Sequence, residues 1–585
     1  MRLRPIRPRL WMAAATILLA GAALWAAAEH EGAPPPQLAA MLPAGALLYL
    51  EAPDFGSLLR DFNSSEEKKA WLTSENREAF GQSRLFTRLS QAQDEFTAAA
   101  GIPANGDLLG QVAGTQSCFA LYDIGNLEFV YVTRLEQREL ETTPLWQTRG
   151  KFEQRTAGGV QFFLHANGKR TAAFAEASGW LVLGTRGDLV AGVLERMQGA
   201  SRARSISDEG WFASAVHPAS GAKINVASDL RMVLNLDAIV PSPYFRSYWI
   251  QRNITEMKQY ASAVSDLYRA PESYREQRVL VRREGLPPRA SGDISTLAGM
   301  APESAAFYSA QTSPDVQGVE SALRDNLLEF KQHPVQSWDQ APQLSAAGDA
   351  GSGSDLETRI DAAPVVERAT DAYLPLHTLL TAAQPDAMLQ VHGTPAAADG
   401  VFARIASAAV VSSPVPWQEQ DVRRALTSAL APGLTAGQLG AGWQTRQSPA
   451  GDYAALNGAV NLYLAVSGRR LLLSNDAPML ESLLSRQQAG KTKPIQQGSA
   501  VTYAAVFHHA AQQASYRALM TRLDRVGHRG RSEGEAAQEQ GQSPAFFSGN
   551  VESLSTVLSR VDTETVQESD LGDKVTETVT YSWKR

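Results

Sequence analysis

The sequence predicts an α+β protein made of two tandem related halves, each a mainly antiparallel sheet covered by helices, after an N-terminal export or anchor segment. Three observations predict this class. A meander of three strands followed by a helix occurs twice, and the same strand-and-helix pattern opens both halves. An uncharged apolar run stands close to the N-terminus. Within each half, we expect the helices to cover one face of the sheet.

The first meander occupies residues 160–196. Asn167-Gly168 suits a type I′ hairpin turn, which needs a positive φ at both central residues, and Ser178-Gly179 marks a second turn. Thr185 is a candidate N-cap for the helix that follows. Four apolar residues then fall on one side of that helix: Leu189, Val190, Val193 and Leu194.

The second meander occupies residues 453–486 and repeats this order. Its turns are Asn457-Gly458 and Ser467-Gly468. Its helix carries four apolar residues on one side: Met479, Leu480, Leu483 and Leu484. The first turn (457 − 167) and the third strand (471 − 181) both lie 290 residues after their counterparts. Because two separate features share one offset, we interpret the halves as copies of one module.

Each half opens with a proline-containing turn, a buried strand and a helix, which Asp54 begins in the first half and Asp315 in the second. The offset between these openings runs from 259 (302 − 43) to 264 (324 − 60). Compared with 290, it implies 26 to 31 additional residues in the second half. Residues 333–361 are rich in Ser, Gly, Ala, Gln and Asp, and they are the predicted loose insertion. Residues 528–543 are a second such segment.

The predicted organisation follows from these limits. We expect a signal peptide or membrane anchor at residues 1–30, a linker at 31–40 and the first α+β half at 41–284. A second linker at 285–297 precedes the second α+β half at 298–585.

The N-terminus predicts export. Four arginines lie between positions 2 and 9, and an uncharged, mostly apolar run of 19 residues follows at 10–28. This pattern is typical of a secretory signal. The run also approaches the ~20 residues that span a bilayer, so the segment is either cleaved or retained as an inner-membrane anchor. Both outcomes place the remaining chain in the periplasm or elsewhere outside the cytoplasm.

Composition excludes several classes of protein. The formal charge of −7 (54 − 61) is too small and too mixed for a nucleic-acid-binding surface. Cys118 is the single cysteine, which excludes an intramolecular disulfide and a cysteine-rich zinc site. We expect this thiol to be buried and unreactive, since it stands beside a strand and no positive group is in view.

No motif predicts catalysis. The nine histidines lack the i, i+4 spacing with which a helix presents two imidazoles to one metal. Gly490-Lys491-Thr492 looks like the end of a phosphate-binding loop, but Ser485 stands where the earlier glycine is needed, and the segment follows a helix. We therefore predict no catalytic, cofactor-binding or metal-binding residues and no cofactor.

One aromatic and basic stretch is a candidate partner-binding site. Protein interfaces enrich aromatic residues and arginine at their anchors. The alternative is a helix start whose aromatics enter the core while its arginines face water. The candidate residues are Tyr244, Phe245, Arg246, Tyr248, Trp249 and Arg252.

Three other segments carry clear patterns. Alternation through Leu230, Met232 and Leu234 predicts a strand with one buried face. Apolar residues at helical spacing predict a long helix over 250–267 and another over 401–410. Residues 561–583 predict a C-terminal hairpin that turns at Gly572.

Parts of the chain resemble a known family. The Leu42-Pro43 strand start with Tyr49-Leu50, the 245–253 run and the closing 579–583 strand are similar to domain of unknown function 3352, an uncharacterised bacterial envelope family. The resemblance spans most of the chain after residue 38. The family carries no assigned catalytic or binding residues, so it implies an envelope location and no site.

The expected function is a non-catalytic binding or scaffolding role in the cell envelope. Its partners would be the membrane, through an uncleaved N-terminal segment, and an envelope protein or lipid, with no nucleic acid. The alternative is an envelope enzyme, such as a hydrolase, whose site is assembled between the two halves. That alternative predicts several perturbed titratable groups in one deep pocket.

Overall fold

The computed structural model describes residues 38–73, 77, 81, 84–168, 170–220, 227–248, 257–290, 294–328, 371–397, 403–430, 442–456, 461–490, 501–509, 512 and 561–583. These residues form two compact units. The N-terminal unit holds the described residues up to Pro288 together with 561–565 and 570–583. The C-terminal unit holds those from Arg289 to 512 together with Val566–Ser569. The predicted export segment and both predicted loose segments lie outside the described residues.

Antiparallel strands make up the sheet of the N-terminal unit, as the α+β class predicts. Their order across the sheet is β4-β5-β6-β7-β3-β2-β1-β8-β9-β10. The strands are β1 Leu48–Asp54, β2 Thr115–Asp123, β3 Glu128–Arg134, β4 Glu153–Ala157, β5 Val160–Asn167, β6 Arg170–Ala177, β7 Trp180–Gly184, β8 Leu230–Asn235, β9 Tyr260–Ala270 and β10 Ser273–Arg282.

Helices pack on both faces of this sheet, so the expectation of one covered face is wrong. Val130 and Val132 of β3 join one core cluster with α7 and α8, whereas Tyr131 between them joins another with α3 and α4. The strand Trp180–Gly184 is apolar at successive positions, which is typical of burial on both faces. The helices are α1 Phe55–Ser64, α2 Glu66–Leu72, α3 Arg84–Ala100, α4 Gly106–Val112, α5 Gln137–Thr142, α6 Pro144–Gln147, α7 Gly187–Met197, α8 Gly210–Ser220, α9 Leu236–Ile239 and α10 Pro243–Tyr248.

The predicted first meander and its helix are present as β5, β6, β7 and α7. Ser178 and Gly179, between β6 and β7, both have a positive φ (52° and 81°), so this turn is the type I′ turn. In the preceding turn, between β5 and β6, Asn167 still belongs to β5 and Gly168 (φ 59°) is the first residue of the turn. The predicted register there was wrong by one residue. The apolar side of α7 is buried. Burial of each large apolar side chain stabilises the fold by about 1.5–3 kcal/mol.

The C-terminal unit is also α+β with antiparallel strands. Its strand order is β14-β15-β16-β17-β13-β12-β11-β18. The strands are β11 Phe307–Thr312, β12 Ala387–Ala397, β13 Ala403–Ser412, β14 Trp443–Arg446, β15 Tyr453–Leu456, β16 Leu462–Ser467, β17 Arg470–Ser474 and β18 Tyr503–His508. The helices are α11 Ile294–Gly299, α12 Val316–Leu323, α13 Leu374–Ala383, α14 Glu419–Leu430 and α15 Ala477–Gln488. They form core clusters on both faces of the sheet. The predicted turn Asn457-Gly458 lies outside the described residues.

The predicted C-terminal hairpin is present as β19 Val561–Asp570 and β20 Lys574–Trp583, with Gly572 (φ 92°) in its turn. Strand β20 pairs antiparallel with β10, from Ser273 opposite Ser582 to Val281 opposite Lys574. This last strand therefore belongs to the N-terminal unit, whereas the predicted limits 298–585 placed it in the second half.

Two predicted helices are strands. Residues 260–270 form β9 and residues 403–412 form β13, where the apolar spacing predicted helices. Strand β9 is buried at five successive positions, from Ser262 to Asp266. A strand buried on both faces loses its period of two, and its apolar residues then fit a helical spacing equally well.

Each unit has an aspartate N-cap at the start of the helix that follows its first strand. The Asp54 side chain accepts the Ser57 amide at 2.8 Å, and the Asp315 side chain accepts the Gly318 amide at 2.5 Å. We expect Asp54→Ala and Asp315→Ala each to destabilise their own unit by about 1 kcal/mol, since one helix donor loses its acceptor. Urea unfolding of the full chain measures both effects. Equal loss from Asp61→Ala, inside α1, would contradict the capping role.

No helix among the described residues is long and apolar enough to cross a bilayer.

Candidate partner-binding site

Helix α10 contains the start of the predicted aromatic stretch. Tyr244 is 51% exposed, which makes it one of the most exposed large hydrophobic side chains in the unit. The next residue, Phe245, packs against the core cluster of Leu236, Val240 and Met257. Neighbouring aromatics thus have opposite environments: one anchors the helix to the core while the other faces outward.

The other four predicted site residues are not positioned. The side chains of Arg246 and Tyr248, and residues Trp249 and Arg252 as a whole, lie outside the described part of the chain. The predicted site of six residues therefore stays a prediction, with Tyr244 and Phe245 as its two described members.

Tyr244 rests on the turn between β2 and β3. A Cβ atom on Gly125 would lie 2.3 Å from Cε2 of the Tyr244 ring and within 2.8 Å of two further ring carbons. Such distances are far below van der Waals contact, so only glycine permits this approach. The ring is held against backbone on one side while about half of the side chain remains in solvent.

Two arginines fix the same turn. Arg88 of α3 donates two hydrogen bonds to the Gly125 carbonyl, from Nε at 2.9 Å and from Nη2 at 2.6 Å. Arg170 of β6 donates to the Asn126 carbonyl and pairs with Glu95. Burial raises the pKa of Glu95, but the hydrogen bond and charge of Arg170, with the charge of Arg88, bring it below its usual value. The turn under Tyr244 is therefore braced by a network of charge-assisted hydrogen bonds.

We define the Tyr244 surface as Tyr244, the turn residues Gly125 and Asn126, and the braces Arg88 and Arg170. The sequence pointed to Tyr244 through its aromatic neighbours. It did not indicate the other members as part of a site, because Gly125 and Tyr244 lie 119 positions apart (244 − 125) and meet only through tertiary packing.

A row of buried charges crosses three neighbouring strands of the same unit. The Arg278 side chain on β10 is 1% exposed. It donates to Glu276 from Nε at 2.7 Å and from Nη2 at 2.5 Å, and to Glu577 of β20 from Nη1 at 3.0 Å. Ser265 of β9 also donates to Glu276, at 2.5 Å. Burial alone would raise the pKa of Glu276, but Arg278 and Ser265 hold it below its usual value. These contacts join the three strands, and the charged side chains that make them are at most 6% exposed.

The single thiol is buried, as the sequence predicts. Cys118 lies in β2 with 2% exposure, opposite Glu51 of β1. Burial, together with the nearby Glu51 carboxyl, raises the pKa of Cys118 well above its usual value. The Tyr49 hydroxyl donates to Glu51 at 2.5 Å, and burial raises the pKa of that carboxyl too. A nucleophilic cysteine needs the opposite shift, toward the thiolate.

One serine–histidine pair occurs in the C-terminal unit. His392 of β12 lies opposite Ser407 of β13, with 3.0 Å between Nδ1 and Oγ. The sequence did not suggest it, because the pairing depends on strand register. Ser407 is only 4% exposed, and its amide is held by Asn475 at 2.8 Å. A nucleophile so enclosed cannot meet a substrate carbonyl, so the pair serves the packing of the two strands.

No group of three or more potential metal ligands occurs among the residues that the structure describes.

Comparison with known proteins finds no family model that matches the chain and no match among curated proteins. One solved structure, described as crystal form I of TP0453, is similar over 43% of this chain and 80% of its own, with 9% sequence identity and a TM-score of 0.21. A similarity this low carries no argument about fold or function.

Proposed function

We propose that the chain is an exported, non-catalytic protein of the bacterial cell envelope that binds a protein partner through the Tyr244 surface. The single observation that carries this proposal is the half-exposed Tyr244 ring, fixed on a braced glycine turn. Membrane attachment through residues 10–28 and the relation to domain of unknown function 3352 are parts of the same proposal, supported by the sequence alone.

A fixed, outward-facing tyrosine suits protein recognition. Tyrosine has few rotatable bonds and offers a large apolar area with one polar end, so little entropy is lost when it enters a pocket of a partner. Here the ring is already positioned by Gly125 beneath it, and Phe245 secures its helix. Anchors of this kind contribute 2 kcal/mol or more to typical interfaces.

The two halves, we propose, are copies of one ancestral module. Support comes from the two strand orders: β4-β5-β6-β7-β3-β2-β1-β8 in one unit and β14-β15-β16-β17-β13-β12-β11-β18 in the other. Each strand number in the first order is raised by ten in the second. The aspartate caps Asp54 and Asp315 hold equivalent places after β1 and β11. A duplicated module accounts for a scaffold of two similar units, and a scaffold needs no catalytic activity.

Replacing Tyr244 by alanine tests the binding role. We expect at least a tenfold lower recovery of the partner when the tagged full-length variant is isolated from detergent-solubilised envelope and bound proteins are quantified by mass spectrometry. Thermal unfolding should change little, because the side chain is half exposed.

The matched control is Leu374→Ala in α13, an apolar side chain of similar exposure (60%) in the other unit. It should retain the protein that the unmodified chain recovers. Equal recovery by the Tyr244 variant, or no protein above background with the unmodified chain, would contradict the proposal.

A further inference from the structure

A surface cavity of about 410 Å³ lies in the N-terminal unit, along one side of α7. Small-molecule sites begin at about this size. The cavity is formed by the loop before β1, by β2, by one side of α7 and by the segment after it. Its lining is Pro43, Ala44, Gly45, Tyr122, Arg186, Asp188, Leu189, Gly192, Glu195, Arg196, Ser201 and Ala203.

The wall opposite α7 is fixed in place. The Tyr122 hydroxyl donates to the Pro43 carbonyl at 2.8 Å, and the Gly45 amide donates to Glu209 at 3.1 Å. A Cβ on Gly192 would lie 3.0 Å from Cγ of Pro43, so this glycine lets the loop approach the helix. The cavity is therefore preformed, which lowers the entropy cost of binding.

Two arginines and two carboxylates face the cavity. They differ in how many hydrogen bonds and ion pairs they already make with the rest of the chain. Arg186 is occupied, since it pairs with Asp188 and donates to Glu128 at 2.9 Å. Arg196 makes one hydrogen bond, from Nη2 to the Arg204 carbonyl, and its Nε has no partner among the described residues. The Glu195 carboxylate has no hydrogen bond or ion pair within the described part of the chain.

The C-terminal unit provides an internal comparison. Arg196 and Arg486 are each the tenth residue of the helix that follows a meander, α7 from Gly187 and α15 from Ala477. Arg486 donates from Nε to the Gly299 carbonyl at 2.9 Å and pairs with Glu303 at 3.5 Å. The chain itself satisfies this guanidinium in one unit, whereas in the other unit a cavity stands beside it.

We propose that this cavity binds a small zwitterion, with its oxyanion on Arg196 and its ammonium on Glu195. The lining carries two arginines and two carboxylates, so a ligand of balanced charge fits it, and a polyanion would meet Asp188 and Glu195. Two sources share this chemistry: a free amino acid, and the phosphoethanolamine headgroup of a lipid. The cavity shares no lining residue with the Tyr244 surface, so this proposal does not depend on partner binding there.

Calorimetric titration of the full-length protein tests the site. The probes are L-alanine and glycerophosphoethanolamine, whose phosphodiester carries one negative charge as in the lipid headgroup, with acetate and ethanolamine as ligands of single charge. We expect saturable binding of at least one zwitterion, and at least tenfold weaker binding of both single-charge probes. Vesicles of phosphatidylcholine with and without phosphatidylethanolamine separate the sources: retention only by the latter assigns the lipid, and binding of L-alanine without retention assigns the amino acid.

Two variants and one control complete the test. Arg196→Gln and Glu195→Gln should each weaken zwitterion binding at least tenfold, while Arg486→Gln, the matched arginine of α15, should not. Glu195→Gln removes a carboxylate that supports no other contact among the described residues, so it remains informative if Arg196→Gln lowers stability. No saturable binding of either zwitterion, or unchanged binding by Glu195→Gln, would overturn the proposal.

Discussion

Replacing Arg278 by methionine is expected to destabilise the N-terminal unit by about 3 to 5 kcal/mol. The variant leaves Glu276 and Glu577 buried without the guanidinium that both now contact. An unpaired charge in the interior costs far more than the loss of an exposed ion pair. The free energy of unfolding can be followed in urea by hydrogen exchange of peptides from β9 and β10.

The Arg278 prediction has an internal rescue and an external control. Adding Glu276→Leu and Glu577→Leu to Arg278→Met should recover most of the lost stability, because an apolar trio leaves no charge to satisfy. Arg155→Met removes an exposed partner of Glu153 on β4 and should leave the unfolding midpoint unchanged. If Arg278→Met unfolds at the same urea concentration as Arg155→Met, the row of buried charges does not stabilise the packing of these strands.

Acid should weaken the same contacts. The pKa of Glu276 is lower in the folded chain than in the unfolded one, so its charge stabilises the fold fully above about pH 4.3. That contribution is lost as the pH falls through the lowered folded value. In Arg278→Met, Glu276 has lost its cation, so burial raises its pKa and this part of the acid dependence should reverse, with protonation stabilising the variant.

Phe174→Ala is expected to destabilise the N-terminal unit by about 3 to 5 kcal/mol as well. Phe174 on β6 is fully buried, with ring centroids of Phe152 at 5.1 Å and Phe163 at 5.2 Å and that of Trp146 at 6.5 Å. Truncation removes both the buried area and these aromatic contacts. It also leaves a cavity that the closely packed neighbouring side chains cannot fill. Thermal and urea unfolding measure the loss.

Phe86→Ala is the control for the aromatic cluster. Phe86 stands on α3 with 40% exposure, so the same change there should cost less than about 1 kcal/mol. Phe174→Leu, which keeps most of the volume, should fall between the two. Equal effects at positions 86 and 174 would show that burial is not what makes Phe174 important.

Local pattern predicted the parts of the fold that local physics determines. The meander before α7, strand β8, the cap at Asp54 and the C-terminal hairpin each depend on a few neighbouring residues, and each was found from turn residues, alternation or a capping side chain. Strands β9 and β13 were missed because both their faces are buried, which erases the alternation that identifies a strand.

Contacts between distant positions could not be predicted. Arg278 and Glu577 are 299 positions apart, and nothing near either residue indicates that β10 and β20 pair in the register that brings them together. The same limit applies to the candidate site. Tyr244 stood out through its composition, but the glycine and arginine that hold it become neighbours only after the sheet has formed.

Strand β20 also has a consequence for biosynthesis. Residues 574–583 leave the ribosome long after their neighbour β10. At 5–20 residues per second, the 299 positions between Arg278 and Glu577 correspond to roughly 15 to 60 s. Throughout that interval β10 presents an unpaired edge, and Arg278 lacks its Glu577 partner. A nascent chain in this condition is a natural client for a holding chaperone, and truncation of the chain before β20 would leave that edge permanently open.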